Sequence, residues 1–105
     1  MKYQIIWSDF SDQQLNEIFD YYSKKVNKRT ATKIIQKILS EVIILEKTPF
    51  AGQIENTLTD RKISYRYLVC NSYKIIYSII ENEQLIRIAD IFDTRQNPTK
   101  IEREK

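Results

Sequence analysis

The sequence predicts a single α+β domain, in which one short strand, a helical hairpin and three further strands build a small, mainly antiparallel sheet packed on the hairpin. Three observations predict it. Two stretches carry apolar residues at helical spacing and are separated by a connection of only a few residues. Three stretches after Phe50 are rich in β-branched and aromatic residues and are separated by polar turns. At 105 residues the chain is long enough for one modest core.

Lys2 to Trp7 is an apolar run of β-formers and reads as the first strand. A helix then opens at Ser8-Asp9, or at Ser11, where Gln14 stands at the spacing of a capping box. Phe10, Leu15, Ile18, Phe19, Tyr22 and Val26 form its apolar stripe. Asn27 either ends this helix or caps the next, which runs from Lys28 to Lys47 with Ala31, Ile34, Ile35, Ile38, Val42 and Leu45 on one face. Thr48-Pro49 stops it, because a residue before proline is pushed out of the helical region.

Phe50 to Asp60 reads as a loop. From Lys62 to Cys70 the side chains alternate: Ile63, Tyr65, Tyr67 and Val69 face one way, Ser64, Arg66, Leu68 and Cys70 the other. Asn71-Ser72 makes a turn, Tyr73 to Ile80 is the next strand, Glu81 to Gln84 a second turn, and Leu85 to Phe92 the last strand. In Tyr73–Ile80 both faces carry apolar groups, yet a two-helix hairpin covers only one face of a sheet. The second face therefore needs another cover. Either a partner chain supplies it, or the sheet curls and the loop at Phe50–Asp60 packs over it. We read residues 1–98 as the domain and 99–105 as a polar tail.

Composition excludes more than it admits. There is no histidine, which removes Ser-His-Asp and Cys-His nucleophile pairs, histidine acid–base chemistry and Cys/His zinc sites. One glycine, Gly52, rules out a Gly-rich phosphate loop. No metal and no cofactor are expected. The single Cys70 has no internal partner, and no stretch reads as a signal peptide or a membrane span, so a cytoplasmic protein is expected. The net charge is +3, and from Lys24 to Lys37 six basic residues stand without an acid. A solvated helix face is the simplest reading; phosphate or an acidic protein is the alternative.

The order of elements, with Arg66 in the first of the three late strands, Tyr-Lys-Ile-Ile-Tyr at 73–77 in the second and a lone Arg95 after the third, resembles the RelE/ParE superfamily of type II toxin–antitoxin toxins. The resemblance spans nearly the whole chain and implies the RelE-like fold, β-α-α-β-β-β. The segment Thr48-Pro49-Phe50-Ala51-Gly52-Gln53 resembles the Pro-x-x-Gly link of the ParE-like subgroup, and Tyr65-Arg66 its Tyr-Arg. That subgroup implies a toxin that inhibits DNA gyrase and is neutralised by a cognate antitoxin, with operator DNA reached only through the antitoxin. Tyr65, Arg66, Lys74 and Arg95 are the target-binding candidates.

RelE-like relatives are ribosome-dependent mRNA endoribonucleases, the alternative reading, with ribosome and mRNA as partners. Lys74 and Arg95 stand where basic catalytic residues of that site would be. However, Tyr65 and Tyr67 occupy the places of its strand lysines, and Ile101 lies near the place of its tail tyrosine. RNA cleavage through the 2′-hydroxyl needs a base, an acid and charge stabilisation. Lys74, Arg66 and Arg95 supply only the last; Asp90 or Asp93, a tyrosine or a lysine would have to be the base. The residues thus lean against an enzyme. Tyr65, Tyr67, Tyr73 and Tyr77 read as packing residues, with base stacking as the alternative. For Arg66 and Arg95 the structural alternative is pairing with Asp90, Asp93 or Glu55. A third reading is a member that serves mainly in antitoxin-bound complexes.

Overall fold

A computed structural model describes residues 2–55 and 64–94 of the chain. Strand β1 (Gln4–Trp7) leads into helix α1 (Asp9–Lys25) and helix α2 (Lys28–Ile43), which tightens into a 3-10 turn at Ile44–Glu46. Strands β2 (Gln53–Ile54), β3 (Tyr65–Cys70), β4 (Tyr73–Ile80) and β5 (Leu85–Asp93) follow. The sheet order is β1-β5-β4-β3-β2, antiparallel throughout except for the parallel pair β1–β5. The α+β class and its mainly antiparallel sheet stand as expected, with one strand more.

The helix starts are local chemistry. Ser8, in extended conformation, accepts the Ser11 amide, and Asp9 and Asp12 sit in the first turn where the helix dipole favours them. Ser8, not Ser11, is therefore the cap. Asn27 caps α2 by accepting the Thr30 amide at 2.8 Å. Val26, on the expected apolar stripe, instead ends α1 and is exposed. Asn71 turns between β3 and β4 with φ 55°, a left-handed conformation asparagine tolerates.

Helix α1 packs on β5 and α2 on β3. Between helices and sheet lies the main core, with Ile18, Ile38, Val42, Leu45, Ile75, Tyr77, Ile86, Ile88 and Ile91 buried. A bulge sets the helix entry: Ile76 faces Asp90 while Tyr77 faces Ile88, so Ala89 is an extra residue in β5. The carbonyls beside the bulge find partners at the start of α1, where Ser11 donates to Ile88 O at 2.9 Å and the hydroxyl of the cap Ser8 lies 3.3 Å from Ala89 O.

The second sheet face forms its own cluster of Tyr65, Ile76, Ala89 and Phe92, with Tyr67 packed against it. Ile76 and Ala89 are fully buried within this one chain, while Val69 on the same face is exposed. No helix among the described residues is long and apolar enough to cross a membrane.

Candidate functional site

The site builds from the segment that stops α2. Pro49 ends the helical turn, and the chain crosses to the sheet edge through Phe50, Ala51 and Gly52 before β2 pairs with β3. Tyr77, fully buried in β4, holds this link at both ends. Its hydroxyl donates to Pro49 O at 2.8 Å and accepts the Gly52 amide at 2.9 Å. Arg66, cross-strand from Tyr77, donates to Gly52 O at 2.8 Å, and its guanidinium lies over the Phe50 ring at 5.1 Å. Phe50 itself is half exposed, so the link offers an aromatic ring backed by a cation at the surface.

Burial pushes the Tyr77 phenol above its ordinary range, against the smaller opposing influences of the Gly52 amide and the Arg66 charge. Removing the hydroxyl in Tyr77→Phe strands the Gly52 amide and the Pro49 carbonyl, and should cost about 2 kcal/mol of unfolding free energy near neutral pH. The raised folded pKa makes the hydroxyl's contribution complete below about pH 10, the unfolded tyrosine value, and lost as the pH rises beyond it. The stability gap between wild type and Tyr77→Phe should therefore shrink above about pH 10 in urea titrations. A gap that stays constant through pH 11 would contradict this role.

On the other face, Lys74 of β4 donates to Glu55 Oε1 at 2.9 Å and lies over the Tyr67 ring at 4.2 Å. The Glu55 side chain is 2% exposed and that of Lys74 24%. Tyr67 donates to Gln53 Oε1 at 3.0 Å, and the Glu55 amide donates to Tyr65 O at 2.8 Å. These contacts stitch β2 to β3 and β4.

The four predicted site residues thus divide. Lys74 and Tyr65 share the second sheet face, where Tyr65 is buried in the small cluster. Strand alternation puts Arg66 on the helix-side face with Tyr77. Arg95 lies outside the described residues, as do the 98/99 boundary, Ile63 and the tail at Ile101. Glu55, expected among the possible partners of Arg66 or Arg95, pairs with Lys74, while Arg66 turns to Gly52 O. Phe50, Gly52 and Tyr77 were not singled out as a unit. The Pro-x-x-Gly spacing was the signal, but which strand side chain reaches the link is decided by tertiary packing.

Lys74 is neutralised by a carboxylate, Arg66 is turned to a backbone carbonyl and a ring, and Asp90 is fully buried. Among the described residues no cluster of three or more His, Cys, Asp or Glu side chains could hold a metal ion.

The family model described as "ParE toxin of type II toxin-antitoxin system, parDE" matches residues 5–98. The chain belongs to the ParE toxin family. The same fold recurs in a solved structure titled "Chromosomal ParDE TA system from P. aeruginosa", with a TM-score of 0.71 and 19% identity over 88% of this chain and 96% of that one. No curated protein sequence matches the chain. As a ParE-family toxin it is a RelE/ParE superfamily member of the ParE-like kind, and the Pro49–Gly52 link with its Tyr77 and Arg66 anchors lies inside the matched span.

Proposed function

We propose that this ParE-family toxin stops growth by inhibiting DNA gyrase, that a cognate antitoxin neutralises it, and that it acts in the cytoplasm as a binding protein rather than an enzyme. One observation carries the choice over ribosome-dependent mRNA cleavage: the sheet lysine that would meet a phosphate, Lys74, is held by the buried carboxylate of Glu55. No histidine exists to act as acid or base. Sequence-specific contact with operator DNA belongs to the antitoxin.

The antitoxin surface in this reading is apolar. Leu39, Ile43 and Ile44 near the end of α2, with Phe50 and Ile54 beyond it, are exposed large hydrophobic residues close in sequence. An antitoxin segment that orders on binding would lie along them, with Arg66 available beside Phe50.

Inducing the chain in cells without its antitoxin should halt growth and raise a DNA-damage response while bulk mRNA stays intact. In vitro it should block supercoiling by purified gyrase, and co-expression of the product of the neighbouring small gene should relieve both effects. Codon-specific cleavage of mRNA within translating ribosomes, with supercoiling untouched, would transfer the assignment to the RelE-like reading.

A further inference from the structure

The positive charge of this protein is concentrated in one place. Lys24, Lys25, Lys28, Arg29, Lys33 and Lys37 lie within 14 residues that hold no acid. Taking these six from the chain's 17 cations leaves 11 against 14 acids, so the rest of the molecule carries a net charge of −3. The structure puts all six at the tip of the helical hairpin: two in the last turn of α1 and four along the first three turns of α2. Every one is exposed. The ion pairs among the described residues, Lys2–Glu46 and Lys74–Glu55, involve none of them.

Folding does not ask for this arrangement. Lys24 and Lys25 complement the dipole at the end of α1, but Lys28 and Arg29 oppose it at the start of α2, whose first turn has no acidic residue. Arg29, Lys33 and Lys37 then follow at four-residue spacing, which stacks like charges in one row with a rise of about 6 Å per step. That row lies opposite the buried face of Ala31, Ile38 and Val42. A helix that needed only to be solvated would gain from an acid at one of these places.

The geometry points to the hairpin tip as a docking surface for the phosphate backbone of duplex DNA, independent of the gyrase target and of operator recognition. The chemistry of the row selects this partner over an acidic protein. Five of the six cations are lysine, which protein–protein interfaces deplete, and the exposed side chains between them on α2, Thr32 and Gln36, are polar hydrogen-bonding groups. Helix α2 contains no aromatic residue on which unpaired bases would stack, and the exposed ring of Tyr21 near Lys25 in α1 is already packed edge-to-face with Tyr22, which favours a duplex over a single strand. Such contacts position a protein on DNA without reading sequence.

The test is fluorescence anisotropy with the full chain and a labelled duplex of arbitrary sequence, titrated at several salt concentrations. Wild type should bind with an affinity that falls steeply with salt. The triple variant Arg29→Gln/Lys33→Gln/Lys37→Gln should bind at least about tenfold more weakly at low salt, with a log–log salt slope smaller by about 2.7. Lys2→Gln/Lys47→Gln, which removes charge elsewhere, should keep the wild-type slope, and circular dichroism should show all three folded. The proposal is overturned if wild type does not bind the duplex, if the triple variant keeps its slope, if single-stranded DNA is preferred, or if polyglutamate displaces the duplex at matched charge concentration. The last result would assign the surface to an acidic protein.

Discussion

Gly52→Ala should lower the unfolding free energy by about 3 kcal/mol or more, the upper part of the overpacking range. A Cβ on Gly52 would stand 2.5 Å from the Tyr77 hydroxyl and 2.7 Å from the Tyr67 carbonyl oxygen. Neither neighbour can move cheaply. Tyr77 is fully buried and bonded at its hydroxyl to Pro49, and the Tyr67 oxygen is strand backbone beside β2. Gly52 does not have a positive φ, so the requirement is close approach rather than backbone freedom. For a domain of this size the loss should appear as a fall in Tm of about 12 °C or more. Urea unfolding followed by circular dichroism gives the number. A loss below about 1 kcal/mol would show that the link moves off the sheet easily and that the anchors at Tyr77 and Arg66 do not hold it.

Lys74→Ala should be the next most damaging change, at about 2 kcal/mol. It takes the ammonium from Glu55, whose side chain is 2% exposed. Breaking a fully buried pair costs more, about 3–5 kcal/mol, but the Lys74 side chain is a quarter exposed and water replaces part of the interaction. Adding Glu55→Gln to Lys74→Ala removes both charges of the pair, so the double-mutant cycle should give a coupling of about 1 kcal/mol or more. The outcome also sorts the role of the lysine. A Lys74→Ala protein of unchanged stability that has lost its toxicity would place Lys74 on the target-binding surface rather than in the scaffold.

Much of the fold was legible because it is built from local chemistry. Asn27 stands between two apolar periodicities and caps α2, as a side chain that can accept the Thr30 amide must. Thr48-Pro49 closes the helical region, although its last residues tighten into a 3-10 turn rather than continuing as α-helix to Lys47. Asn71-Ser72 makes the β3–β4 turn. Strand alternation correctly separated Arg66, Leu68 and Cys70 from Tyr65, Tyr67 and Val69.

The site was less legible. β2 is two residues long, too short to show alternation, and only its pairing with Tyr67 and Arg66 makes it a strand. The choice between Ser8 and Ser11 as cap depended on the bulge at Ala89, which brings the Ile88 carbonyl to both serines. The second sheet face called for a cover, either a partner chain or the chain itself, and its Tyr65, Ile76, Ala89 and Phe92 are buried within the chain. Tyr77 looked like any packing tyrosine. Its hydroxyl found the Pro49–Gly52 link because the sheet register sets it cross-strand from Arg66.

What the sequence by itself determined was the class, the element order and the charged hairpin tip, because caps, breakers, periodicity and charge runs act over a few residues. Only the tertiary structure decided that β1 joins β5 in parallel, that Glu55 takes Lys74 and leaves Arg66 to Gly52 and Phe50, and that one tyrosine hydroxyl anchors the link. Those contacts join residues 14 to 81 positions apart, and no local rule selects among distant partners until the sheet register brings particular side chains within hydrogen-bond reach.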